Sequence, residues 1–86
     1  MEKVWKLYIL RCCDDSLYTG ITVDVEARFA QHCNGTGAKY TRGRGPLELV
    51  YVEECGDHSQ ALKREYQVKT FSKRDKIALI QSFQEK

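Results

Sequence analysis

The tightest constraint on the fold lies at the start of the chain, where two strand-like runs flank a turn. Val4 to Arg11 and Leu17 to Ile21 are rich in aliphatic, aromatic and β-branched residues, and Asp14-Asp15-Ser16 between them has turn chemistry. Together they predict a hairpin. Thr22 or Asp24 can cap a following helix that runs to about His32, and Asn34-Gly35-Thr36-Gly37 ends it with residues that tolerate positive φ. Gly43, Gly45 and Pro46 mark a loop, and Leu47 to Val52 reads as a third strand. Asp57 or Ser59 caps a second helix through about Thr70. Ser72-x-x-Asp75 is a capping-box pattern for a third helix, whose Ile77, Ile80 and Phe83 recur at helical spacing. The expected order is β-β-α-β-α-α, an α+β chain read as one domain over residues 1–86.

A chain of 86 residues can bury roughly 60% of its unfolded surface, enough for a thin core between two layers. Its 30% charged and 42% hydrophobic residues suit a globular domain better than a disordered tail. No segment approaches the roughly 20 apolar residues of a membrane span. Met1-Glu2-Lys3-Val4-Trp5-Lys6 lacks the apolar run of a signal peptide, so a cytoplasmic location without a membrane partner is expected. Cys12, Cys13, Cys33 and Cys55 form no Cys-x-x-Cys, and no histidine pair has zinc-finger spacing. They read as free, partly buried thiols, with adjacent Cys12 and Cys13 pointing to opposite sides. The net charge is only +2, yet no acidic residue lies between Glu26 and Glu48, where Arg28, Lys39, Arg42 and Arg44 all fall. Lys63, Arg64, Lys69, Lys73, Arg74 and Lys76 form a second basic stretch broken only by Glu65 and Asp75. The distribution allows a positive face, although solvated helices and an ordinary charged loop would give the same pattern.

Polar residues interrupt the apolar stripes at informative places. Val25, Arg28, Phe29 and His32 fall at i, i+3, i+4 and i+7, so a guanidinium and an imidazole share the helix face that should pack on the sheet. Glu65 sits among Ala61, Leu62, Tyr66 and Val68 on neighbouring rows of the second helix. Breaking a buried ion pair costs about 3–5 kcal/mol, so isolated buried charges call for a partner, a ligand or a role. Arg28 and Glu65 paired across the core would satisfy both, and His32 read alone is a core or helix-end histidine. A three-residue hairpin loop or a bulge would place Tyr8 and Tyr18 on one face, with Tyr8 near Gly20 and Tyr18 near Leu10; a two-residue turn would separate them. Gly20 then leaves room on that face for another backbone or a phosphate.

Lys6-Leu7-Tyr8 and Tyr18-Thr19-Gly20, Arg28 ten residues after Tyr18, and Glu65 on a later helix together resemble the signature of the GIY-YIG nucleases. Gly37-Ala38-Lys39-Tyr40-Thr41-Arg42-Gly43-Arg44-Gly45-Pro46 resembles the small stand-alone bacterial branch of that family. It is also similar to the nuclease domain of eukaryotic endonucleases that resolve branched DNA. The resemblance spans about residues 5 to 80. It implies a three-stranded antiparallel sheet flanked by helices, with the tyrosines, arginine and glutamate converging on one shallow site. Lys6 replaces the opening glycine of the signature, and no asparagine follows Asn34, although some relatives carry a late asparagine near the site.

Metal-dependent DNA endonuclease activity follows as the expectation, with single-stranded, nicked or branched DNA as partner and selectivity for structure rather than sequence. Hydrolysis of a phosphodiester needs a deprotonated water, charge stabilisation at the phosphoryl oxygens and help for the leaving group. The expected catalytic set is Tyr8, Tyr18, Arg28, His32 and Glu65. Arg28 suits the phosphoryl oxygens. Glu65 suits Mg²⁺ or Mn²⁺ held by one carboxylate within a shell of water and phosphate. The resemblance gives Tyr8 the proton of the attacking water, although a phenol of pKa about 10 is a weak base unless positive charge lowers it. Tyr18 and His32 would orient that water or share its proton. Gly20, Lys39, Tyr40, Arg42 and Arg44 are the expected nucleic-acid contacts, with Tyr40 able to stack on an unpaired base. No small-molecule cofactor is expected. A partner protein or a homodimer is compatible with the sequence. A module that binds DNA without turnover, or a protein-interaction domain on the same scaffold, are the alternatives.

Overall fold

A computed structural model describes residues 3–84. It contains β1 (Trp5–Arg11), β2 (Leu17–Thr22), α1 (Val25–Cys33), a 3₁₀ turn (Lys39–Thr41), β3 (Glu48–Gly56), α2 (His58–Lys69) and α3 (Lys73–Gln84). The strands form one antiparallel sheet in the order β2-β1-β3, so the expected β-β-α-β-α-α arrangement holds.

The hairpin turn fixes which side chains share a face. Cys12 N–H donates to Ser16 O and Asp15 N–H to Cys12 O, both at 2.9 Å, while Asp15 takes φ 65°. This is a three-residue loop, a type I turn closed by a left-handed residue. The Asp14 carboxylate steadies it by accepting from Ser16 N–H at 3.1 Å and Ser16 Oγ–H at 2.6 Å. The resulting register pairs Tyr8 with Gly20 and Leu10 with Tyr18, so both tyrosines face the same side.

Central β1 is covered on both faces, and Leu7, Tyr8, Ile9 and Leu10 are all buried. Leu7 and Ile9 join Val50, Tyr51, Val68 and Ile80 in the core beneath α2 and α3. Alternation sends Tyr8 to the opposite face, where it meets His32 of α1. Strand β3 runs past the expected end at Val52, because Glu53 and Glu54 still pair with Leu7 and Lys6. Two register shifts leave Val50 and Cys55 as bulged residues, and both turn toward the core.

Capping chemistry sets the helix starts. The Asp24 carboxylate accepts from Ala27 N–H at 3.0 Å to begin α1, and Thr22 Oγ1 accepts from Asp24 N–H at 3.2 Å. Asp57 and Gln60 form a reciprocal capping box at α2, which places Ser59 inside the helix. Ser72 Oγ accepts from Asp75 N–H at 3.1 Å at the start of α3.

Two expectations change here. The apolar stripe of α2 is narrower than its sequence suggests: Ala61 and Val68 are fully buried, whereas Leu62 and Tyr66 lie on the exposed side. Arg64 leaves the basic stretch, since its guanidinium grips the Glu53 carboxylate through Nε at 2.8 Å and Nη2 at 3.0 Å. The four cysteines are free, with Cys12 buried and its neighbour Cys13 exposed. Among the described residues no helix is long and apolar enough to cross a membrane.

Candidate active site

A buried chain of hydrogen bonds links the sheet to the loop after α1. His32, in the last turn of α1, is 2% exposed. Its Nε2 lies 2.8 Å from the Tyr8 hydroxyl, and its Nδ1 lies 2.8 Å from Thr41 Oγ1. The Thr41 hydroxyl donates to Ala38 O at 3.0 Å, and Ala38 N–H approaches Nδ1 at 3.4 Å. Gly37 makes this wrapping possible, because a Cβ there would stand 2.6 Å from Nδ1. Tyr18 sits edge-on to the imidazole with ring centroids 5.1 Å apart, and 6.3 Å from Tyr8. The space beside Gly20 belongs to this cluster and not to an incoming phosphate or backbone. A Cβ at that position would meet the Tyr8 hydroxyl at 2.6 Å, so on this face Gly20 is the residue that admits Tyr8.

Burial dominates the electrostatics of the cluster. Burial pushes the Tyr8 phenol up to about 12, outweighing the opposite pull of Arg28 beside it. Burial, and secondly the Arg28 charge, lower His32 below 6.5. A neutral phenol therefore faces a neutral imidazole at neutral pH. The Tyr8 value exceeds its unfolded value of 10, so the stability tied to the neutral phenol is complete below about pH 10 and lost as pH rises toward 12. Tyr51, also raised to about 12 chiefly by burial, adds to the same limb. His32 has the opposite sign: its contribution is complete above about pH 6.5 and lost as pH falls through the lower folded value. Urea denaturation against pH should show a plateau between these limits, and Tyr8→Phe should shrink the alkaline fall without removing it. An unchanged alkaline limb would show that Tyr8 does not carry that share.

Arg28 and Glu65 both bear on Tyr8 through their charges. They do not form the direct pair that the stripe pattern allowed. Arg28 Nη1 donates to Gln31 Oε1 at 2.9 Å, whereas Glu65 Oε2 lies 3.4 Å from Lys69 Nζ, one turn along α2. Both are partly exposed at the rim of the cluster, so neither is an isolated core charge. Among the described residues no group of three or more His, Cys, Asp or Glu side chains could hold a metal ion. A single carboxylate such as Glu65 would fit a hydrated Mg²⁺ or Mn²⁺ completed by water and substrate oxygens, and does not fit zinc.

The basic loop is docked on the hairpin turn. Cys13 N–H donates to Arg44 O at 2.9 Å, and Arg44 Nη1 meets Asp14 Oδ2 at 2.6 Å. The Arg44 guanidinium also lies 4.5 Å from the centre of the Tyr40 ring, which stacks on Tyr18 at 5.9 Å and 28°. Tyr40 is therefore already engaged, by Arg44 on its ring and by Tyr18 in the stack. Arg42 Nε donates to Gly35 O at 3.2 Å, and Lys39 is exposed. An open cleft of about 240 Å³ runs beside the cluster, lined by Leu17, Tyr18, Thr19, Tyr40, Lys69 and Lys76. Gly37 and Thr41 of the loop motif, and Lys69 and Lys76 of the second basic stretch, line this region although they are not among the expected site residues.

Similarity to other proteins agrees with this geometry. Residues 4–78 match the model of the GIY-YIG catalytic domain. UPF0213 protein SSP2268 of Staphylococcus saprophyticus is 54% identical over 74 residues, covering 86% of this chain and 90% of the relative. UPF0213 protein YhbQ of Escherichia coli is 53% identical over 76 residues, covering 88% of this chain and 76% of that one. The solution NMR structure of UPF0213 protein BH0048 from Bacillus halodurans superposes with a TM-score of 0.59 at 46% identity, covering 91% and 83% of the two chains. That of protein EF2693 from E. faecalis gives a TM-score of 0.67 at 33% identity, covering 99% and 91%. With its matched domain, its sheet order and its bacterial relatives in agreement, the chain belongs to the GIY-YIG family, among the UPF0213 proteins.

Proposed function

We propose that this member of a nuclease family is a divalent-metal-dependent DNA endonuclease, selective for single-stranded, nicked or branched DNA rather than for base sequence. The observation that carries the reading is the hydrogen bond from Tyr8 to a buried, neutral His32 with Arg28 alongside. A phenol with pKa near 12 is a poor base alone, but a phenol that hands its proton to an imidazole as it takes one from water needs no free phenolate. Arg28 then faces the phosphoryl oxygens, where charge builds up in the transition state. Tyr18 walls the same space and limits how the attacking water is oriented. Glu65 would hold Mg²⁺ or Mn²⁺; when bound, the ion supplies Lewis-acid stabilisation of the phosphate and the leaving oxygen.

What the surface offers supports selectivity for structure. The cations around the cluster suit phosphates, and the Tyr18–Tyr40 stack suits an unpaired base, which every sequence can present. A base that took the place of Arg44 on Tyr40 would free that guanidinium for a phosphate. Lys69 and Lys76 line the neighbouring cleft and would hold the flanking backbone. Incubation with labelled single-stranded, duplex, flap and four-way DNA in Mg²⁺, Mn²⁺ or EDTA tests the activity. Cutting of substrates with unpaired nucleotides, abolished by EDTA, is expected; binding without cutting in either metal would leave a DNA-binding module. Changing Arg42 and Arg44 together to Ala should weaken binding to all sequences alike and lower the salt slope by about 1–2. A loss confined to one sequence would contradict phosphate contact.

A further inference from the structure

We propose that Thr41 is a positioning residue of this site: its hydroxyl accepts the Nδ1–H of His32 and thereby presents Nε2 to Tyr8 as a bare lone pair. The inference rests on the nuclease reading for its functional consequence, but its structural part stands on hydrogen-bond accounting. A hydroxyl has one proton, and Thr41 spends it on Ala38 O at 3.0 Å. Toward Nδ1, 2.8 Å away, Thr41 Oγ1 can then only accept, so Nδ1 carries the hydrogen. A neutral imidazole protonated at Nδ1 is an acceptor at Nε2, and the Tyr8 hydroxyl at 2.8 Å must donate to it.

The other tautomer would take Ala38 N–H and the Thr41 hydroxyl onto Nδ1. It keeps Ala38 N–H donating to Nδ1, the longest contact of the set at 3.4 Å, but abandons the shorter 3.0 Å bond from Thr41 to Ala38 O, whereas the Nδ1–H tautomer gives up only the longer one. The Nε2–H form would also make Tyr8 an acceptor from His32, which blocks the direction of transfer that hydrolysis needs.

With Nδ1 protonated the proton count closes. An O–H bond of water breaks as its proton goes to the Tyr8 oxygen, while the phenolic proton passes to Nε2 and forms imidazolium. The hydroxide bonds to phosphorus, the P–O bond to the leaving oxygen breaks, and that oxygen takes a proton from solvent water. The imidazolium then returns its proton to solvent, and the Thr41 bonds are the same before and after.

Thr41 is 2% exposed, and Gly37 lets its loop close over the imidazole, so the hydroxyl has little freedom to turn elsewhere. The titratable or charged groups around the imidazole are Tyr8 and Tyr18 from the hairpin and Arg28 from its own helix. None of them contacts Nδ1 in place of Thr41.

Long-range ¹H–¹⁵N correlation spectra of the ¹⁵N-labelled protein, taken above pH 7.5, report the tautomer directly. The chain has only two histidines, His32 and His58, and a His58→Gln control assigns the signals. The expected result is the Nδ1–H form for His32 in the parent and in Thr41→Ser, and its loss or mixing in Thr41→Val. Single-turnover cleavage should fall about 10–100-fold in Thr41→Val and recover in Thr41→Ser, as for other groups that orient a functional histidine. An Nε2–H imidazole in the parent protein would overturn the proposal without any variant, and so would an unchanged tautomer in a folded Thr41→Val protein. Absence of cleavage by the parent would count against the nuclease reading alone, because the spectrum still decides the role of Thr41.

Discussion

Glu65→Gln is expected to abolish metal-dependent cleavage while leaving the protein folded and able to bind DNA. The carboxylate is one-fifth exposed and pairs with half-exposed Lys69 at 3.4 Å, an i,i+4 contact on the surface of α2. Such pairs are worth about 0–1 kcal/mol, which for a domain of this size corresponds to a melting temperature lowered by no more than about 4–8 °C. Had Glu65 neutralised a buried Arg28, the same change would have cost roughly 3–5 kcal/mol and most of the stability. Catalysis loses more than the fold does. The amide keeps the shape but removes the charge that would hold a hydrated divalent ion, and several kcal/mol of transition-state stabilisation translate into a rate lower by on the order of 10³-fold or more. DNA binding should persist or tighten, since one negative charge leaves the site. Melting temperature and nicking in Mg²⁺ are to be measured in parallel. A strongly lowered melting temperature with residual activity at permissive temperature would sink the metal-ligand assignment.

The parts of this fold that are local in sequence were legible, and the parts that depend on long-range contacts were not. The hairpin, the caps at Asp24 and Asp57 and the spacing of the α3 apolar residues follow from neighbours within a few positions. Even so, the sequence left the hairpin loop open between two and three residues. The positive φ of Asp15 decides the length, and with it whether Tyr8 and Tyr18 can share a site. Charge pattern was less reliable, because it counts cations without their partners. Arg64 belongs to Glu53, eleven residues away, and Arg44 to Asp14, thirty away, so the basic face is smaller than the composition implies. Thr41 reads as an ordinary loop residue until Gly37 is seen to admit the loop against His32. The sequence also left open whether nearby positive charge lowers the Tyr8 pKa, and in the fold burial outweighs Arg28. Under the proposed mechanism no free phenolate is needed, because the phenol and the imidazole act together.

Tyr8→Phe therefore tests the pair rather than the residue. Removing the hydroxyl should cut the single-turnover rate by on the order of 10²–10⁴-fold with DNA affinity nearly unchanged, since the ring still fills the space over Gly20. If the proton travels from water through Tyr8 to Nε2 of His32, then His32→Ala should produce a loss of similar size. The double variant should be no slower than the slower single one, because either change alone already breaks the path. Independent roles predict the opposite, with the two losses multiplying in the double variant. Part of the effect of Tyr8→Phe will appear in stability, as His32 Nε2 loses its buried partner at a cost of about 1–3 kcal/mol. Rates are accordingly to be taken well below the melting temperature of each variant. The pH dependence adds a second check. In the parent the rate should fall on the acid side with an apparent pKa below 6.5, as His32 becomes charged and can no longer accept, and it should stay level into the alkaline range. A single-turnover rate unchanged in Tyr8→Phe, or losses that multiply in the double variant, would show that the phenol and the imidazole do not form one relay.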